Sequence, residues 1–216
     1  DLVATRMAKN PSLPEVYRRL TVVTEGGKPQ WTGHHKLMAG RVDEPLRVRK
    51  GGFVFVCDMG DLFYEGHSFE EIAAVFGVMI ASTWHSFFVL TKRPERMLAF
   101  FAWLDERAKG PGGVPHALQC GLSAASFGAE KVDQLGLPGI WPARNIYLGV
   151  SVDDREHGLP RLPELRKAPA VADFASIEPL LEDLGEVDWR GIDQVIVGGE
   201  SGKDARGFRL AWAERI

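Results

Sequence analysis

Apolar residues in this chain come in short continuous runs, and each run ends in a polar or charged cluster. Phe53-Val54-Phe55-Val56 leads into Cys57-Asp58-Met59-Gly60-Asp61, and Phe87-Phe88-Val89-Leu90 leads into Thr91-Lys92-Arg93. Ile146-Tyr147-Leu148-Gly149-Val150 leads into Ser151, and Val171-Ala172-Asp173-Phe174-Ala175 leads into Ser176-Ile177-Glu178-Pro179. Val195-Ile196-Val197 leads into Gly198-Gly199-Glu200-Ser201. Continuous apolar runs of this length predict strands buried on both faces, as in a parallel sheet. Ligands of such sheets sit at the carboxyl ends of the strands. The repeated polar tips therefore predict one shared site at one end of a barrel-like sheet.

Between the runs the spacing turns helical. Ser68, with Glu71 three residues on, forms a capping-box pattern. Ile72, Val75, Phe76 and Met79 then repeat at helical spacing. Pro94 suits a first helical position, followed by the stripe Met97, Leu98, Phe101 and Leu104. Leu162, Leu165 and Ala168 predict a short helix, and Trp212 belongs to another after the last strand. Residues 4–9 read as the end of a helix that Asn10-Pro11 stops. Residues 25–50 read as irregular, and the Gly- and Pro-rich stretch 109–143 as an insertion. The predicted fold is a single α/β domain over 1–216, a partial (β/α) barrel with a parallel sheet.

Composition narrows the class. At 216 residues with 45% hydrophobic side chains, the chain can bury a core without staples. No apolar run approaches membrane-spanning length, so no membrane is expected. Two cysteines, Cys57 and Cys120, make no disulfide framework, which points to the cytoplasm. A net charge of -3 gives no general attraction for nucleic acid, though a local basic patch stays open. The histidines form no metal motif, and the six tryptophans read as packing residues.

Five motifs in order carry a resemblance. They are Asp58-Met59-Gly60-Asp61-Leu62-Phe63, Leu90-Thr91-Lys92-Arg93-Pro94-Glu95-Arg96-Met97, Asn145-Ile146-Tyr147-Leu148-Gly149-Val150-Ser151-Val152, Ser176-Ile177-Glu178-Pro179-Leu180-Leu181 and Gly198-Gly199-Glu200-Ser201-Gly202. Over residues 4–212 the chain resembles a phage-encoded family of unknown function that is itself similar to radical S-adenosylmethionine (SAM) enzymes. The resemblance implies a TIM-barrel-related fold, a [4Fe–4S] cluster held by three cysteines, SAM as a cofactor, and a bacteriophage protein in the host cytoplasm. The family's cysteines precede a segment like Ala4-Thr5-Arg6-Met7, and Leu2 stands where the last would fall. The chain is thus expected to lack the cluster-binding segment and the last strand, and to bind no metal itself.

The candidate site residues follow from these tips. The resemblance places Asp58 and Asp61 near the amino group of SAM, with turn formation as the competing reading. Lys92 and Arg93 are candidates for a substrate carboxylate or phosphate. Adjacent strand residues face opposite ways, so one of the two points into the site, and Lys92 is favoured. Ser151 suits a ligand's polar edge or a neighbouring backbone group. Glu178 suits a ligand cation or an ion pair with Lys92. Gly198, Gly199 and Glu200 read as a ligand-approach loop, with Arg206 near enough in sequence to neutralise Glu200.

Three functions remain in view. One is a radical-SAM-like enzyme, which needs the cysteine segment. Another is a cluster-free binding or regulatory protein on the same scaffold, with a small molecule or a host or phage protein as partner. The third is a sugar- or nucleotide-processing barrel that uses Glu178 and Glu200 as an acid/base pair.

Overall fold

The computed structural model describes residues 10, 19–25, 29–57, 60–110, 113–114, 118, 141–202 and 205–216. The predicted helix end at 4–9 and most of the insertion at 109–143 lie outside the described residues. The chain divides into two compact units, 1–38 and 39–216. In the first, β1 (Thr21–Val23) pairs antiparallel with β2 (Pro29–Trp31). The Thr32 N–H closes this ribbon on the Leu20 carbonyl at 3.0 Å.

The second unit opens with two single-turn helices, α1 (Ala39–Val42) and α2 (Glu44–Arg47). They and β2 fall in the stretch expected to be irregular. Elements this short give no periodic signal to read. Pro45 falls in the first turn of α2, where a missing N–H costs no helical bond.

Five strands follow: β3 (Phe53–Val56), β4 (Ser86–Thr91), β5 (Ile146–Ser151), β6 (Asp173–Ile177) and β7 (Gln194–Val197). They form one sheet in chain order, and every neighbouring pair is parallel. The expected parallel α/β sheet is therefore present. β6 starts two residues later than the apolar run suggested. Asp173 and Asp193 open its pairing with β7, because the Asp193 N–H donates to the Asp173 carbonyl at 2.9 Å. The strand then runs through Ser176 and Ile177, leaving Glu178 as the first residue beyond it.

The helices between strands begin where their sequence signals stand. α3 (Phe69–Ala81) starts from a closed capping box: Ser68 Oγ accepts from the Glu71 N–H, and the Glu71 carboxylate accepts from the Ser68 N–H. α4 (Pro94–Ala108) begins on its proline, and α5 (Arg161–Leu165) and α6 (Leu210–Ala213) follow. Ile72, Phe76 and Met79 of α3 join Met97, Phe101 and Leu104 of α4 in the core. Against them pack Val54, Val56, Phe87, Val89, Ile146, Leu148, Val150, Ala175, Ile177, Val195 and Val197 from the strands. Each fully buried Val, Leu, Ile, Phe or Met among them contributes about 1.5–3 kcal/mol.

Asp173 sits at the amino end of β6 with one carboxylate oxygen buried and unpartnered. Burial and the neighbouring Asp193 carboxylate push it up to about 7 from 3.8. The folded chain thus holds this proton more tightly than the unfolded chain. The associated stability is present below about pH 4 and is lost as pH rises through about 7. Asp173→Asn keeps the neutral form at every pH. Thermal unfolding is expected to show Asp173→Asn melting about 2–4 °C above wild type at pH 8, a rise typical of ~1 kcal/mol at this length. At pH 4 the two should melt together.

Candidate functional site at the carboxyl edge of the sheet

Successive strand residues point to opposite faces. The core takes one set, so the other set defines a second face that can be read row by row. Phe55, Phe88 and Tyr147 are register partners on β3, β4 and β5. Their rings stand side by side, with Phe55 and Phe88 parallel to within 2° and Phe88 and Tyr147 5.0 Å apart. This end of the face is open, and Phe53 is 84% exposed. One step along each strand, the Phe174 ring lies over Gly149, its register partner, and meets Phe88 edge-on at 5.5 Å. A Cβ on Gly149 would come within 2.4 Å of that ring, so only glycine fits. The next row holds Ser151, Ser176 and Ile196, again register partners. Beyond them, at the carboxyl edge, the charged residues begin. The second face therefore runs from aromatic through hydroxyl to charged.

Lys92 continues the alternation of Phe88 and Leu90, and its ammonium meets Asp153 at 2.8 Å. Arg161, at the start of α5, donates to the Ser151 carbonyl at 2.7 Å and to Asp153 at 3.2 Å. Burial opposes ionisation of Asp153, but Lys92 and Arg161 outweigh it and hold the carboxyl below its usual value. Of the two alternatives for Glu178, the ion pair with Lys92 is absent among the described residues, because Asp153 takes the ammonium. Asp153 was not among the sequence candidates. Its signal was its position two residues after Ser151, on the same side of the chain.

Arg93 turns the other way, as alternation requires. Its guanidinium binds Asp61 at 3.0 Å and Glu65 at 2.9 Å. Asp61 accepts from the Phe63 N–H, the Thr91 hydroxyl, the Lys92 N–H and Arg93, and its side chain is 12% exposed. This carboxylate ties the turn after β3 to the tip of β4. Cys57 starts that turn in the left-handed region at φ 57°, uncommon for a residue with a Cβ. Asp58 lies outside the described residues.

Glu200 is gripped by Arg206 through two bonds of 2.7 and 2.9 Å, and Arg206 also donates its N–H. These bonds hold Glu200 down to about 2. A general acid needs the opposite shift, so Glu200 does not suit the acid half of an acid/base pair. Gly198 donates to the Ile177 carbonyl and accepts from the Leu180 N–H. The left-handed glycines do not include Gly198 or Gly199. Crowding explains both: a Cβ would sit 3.0 Å from the Glu178 side chain at Gly198, and 3.1 Å from Phe208 at Gly199. Glu178 itself is exposed and has no hydrogen bond or ion pair among the described residues. Of the carboxylates brought to this edge, Asp153 and Glu200 are neutralised and Glu178 is not.

With this geometry in place, the sequence match decides the family. The chain belongs to the DUF5131 family. That family, described as a protein of unknown function, matches residues 3–216. No curated protein and no solved structure matches the chain significantly.

In this DUF5131 chain the edge thus carries Lys92, Ser151, Glu178, Gly198 and Glu200 on the second face, with Asp153, Arg161 and Arg206 added by the structure. Asp61 and Arg93 form a neighbouring bracket between β3 and β4. Among the described residues, no three His, Cys, Asp or Glu side chains gather for a metal ion, and no helix is long and apolar enough to cross a membrane.

Asp61→Ala leaves the Thr91 hydroxyl and the Phe63 and Lys92 N–H groups without their acceptor and removes one of the two carboxylate partners of a half-buried arginine. A loss of about 3 kcal/mol is expected in denaturant unfolding. Lys92→Ala, at a half-exposed ion pair, should cost under about 1 kcal/mol.

Proposed function

We propose that this chain is a small-molecule-binding protein on a radical-SAM-like, TIM-barrel-related partial barrel, with its ligand at the carboxyl edge. The single observation that carries the reading is Glu178. It is a carboxylate of the second face with no hydrogen bond or ion pair among the described residues, whereas Asp153 and Glu200 beside it are each held by an arginine or lysine. An unpaired carboxylate in such a place suits a ligand that brings a positive centre or N–H donors. SAM, which the resemblance implies, carries both an ammonium and a sulfonium group. Strands in chain order with helices packed in the same sequence support the partial-barrel reading.

A [4Fe–4S] cluster does not fit the residues present. The sequence has two cysteines, and the family's motif needs three thiolates. A cluster-free binding or regulatory role needs none of these thiolates. With it the resemblance brings a bacteriophage protein, the host cytoplasm, and a host or phage protein as a second kind of partner.

Calorimetry with SAM tests the reading. Wild type should bind it, and Glu178→Gln should bind about tenfold more weakly, as expected for one charge-assisted contact. Equal affinities would remove Glu178 from the site. Anaerobic reconstitution of this same chain should yield no stoichiometric iron or sulfide, and finding both would overturn the cluster-free reading.

A further inference from the structure

Ser151 and Ser176 are only 7% and 6% exposed, neither hydroxyl has a hydrogen-bond partner among the described residues, and neither oxygen is sealed from solvent. Hydroxyls that keep solvent access and no protein partner can take one from a ligand. Here there are two, and they are register partners on neighbouring parallel strands. Both alternate with core residues, Val150 and Val152 around one and Ala175 and Ile177 around the other. Both therefore stand on the second face, one row below Glu178.

We infer that Ser151 and Ser176 form a two-hydroxyl shelf that receives the carbonyl oxygen of an apolar carboxamide. The inference rests on the reading that the ligand enters at this edge and donates to Glu178. Neighbouring strands lie about 4.8 Å apart, so the Cβ atoms of the two serines stand at about that separation. With both hydroxyls turned toward one oxygen set above the midpoint, each lies about 2.8 Å from it, a normal O–H···O distance. A carbonyl oxygen carries two in-plane lone pairs and accepts both bonds at once. Glu178 lies two residues beyond Ser176 on the same face, about 6.6 Å along the strand. An amide N–H on the same group bridges that gap to the carboxylate. A carboxylate ligand is disfavoured, because Glu178 repels it and the Lys92 ammonium is already engaged by Asp153. The rest of the ligand meets Ile196, the register partner of Ser176, and Phe174 in the row below. Both are apolar. The site thus selects a neutral amide attached to an apolar group.

Benzamide is the probe, with benzoate and ribose as controls, measured by ligand-observed NMR titration of the full chain. Benzamide should bind wild type at least about tenfold more tightly than either control. Ser151→Ala and Ser176→Ala should each weaken it about three- to tenfold, and the double variant should abolish binding. Benzamide that ignores both serines but is lost in Glu178→Gln would overturn the shelf and leave the edge site standing. No benzamide binding, or equal binding of benzoate or ribose, would also overturn it. Should the serine variants fail to fold, amide-shift mapping on wild type decides: perturbations must centre on Ser151, Val152, Ser176 and Ile177, and any other centre refutes the proposal.

Discussion

The core between the helices and the sheet claims every second residue of five parallel strands. That claim orders the rest of the molecule. Once Val89, Leu148, Val150, Ala175 and Ile177 turn toward α3, α4 and α5, the residues between them have no choice of direction. Phe88, Gly149, Ser151, Phe174 and Ser176 must face the other way. The site is built from what the core leaves over. A slip of one residue in any strand would bury its hydroxyls or charges among phenylalanines, so the apolar core also fixes the chemistry of the opposite face.

Charge is arranged on a second principle. At the carboxyl edge, most ions are matched locally: Lys92 and Arg161 with Asp153, Arg206 with Glu200, Arg93 with Asp61 and Glu65. The exposed pairs among these add little stability individually, unlike the mostly buried Asp61 carboxylate. Their effect is to leave Glu178, among the described residues of the second face, as a carboxylate without a partner. In the proposed reading, selectivity comes from that group rather than from a strongly charged patch.

Much of the architecture was legible in the chain. The apolar runs located all five strands of the parallel sheet, and Ser68 and Pro94 marked two helix starts, because these signals are local and periodic. β2 and the single-turn helices at 39–42 and 44–47 were not legible, since four residues or fewer carry no period. At the edge, alternation separated Lys92 from Arg93 correctly. It did not reveal that Asp153, rather than Glu178, holds Lys92, because pairing across sixty residues depends on strand order. Gly198 and Gly199 looked like conformational glycines in sequence. In the fold neither takes a left-handed φ, and each stands close to a neighbour, Gly198 to Glu178 and Gly199 to Phe208.

The ring of Phe174 over Gly149 has a consequence of its own. It is a fixed floor between the aromatic row and the hydroxyl row, so it sets how deep a ligand can descend from the edge. Depth is therefore governed by a pair of positions on two strands, neither of them polar. A side chain at 149 is tolerated only if the ring at 174 shrinks, and a smaller residue at 174 opens the way to Tyr147 and Phe88 below. For the proposed ligand, a change at 174 alone therefore sets the accepted length, with Gly149 and the polar edge untouched.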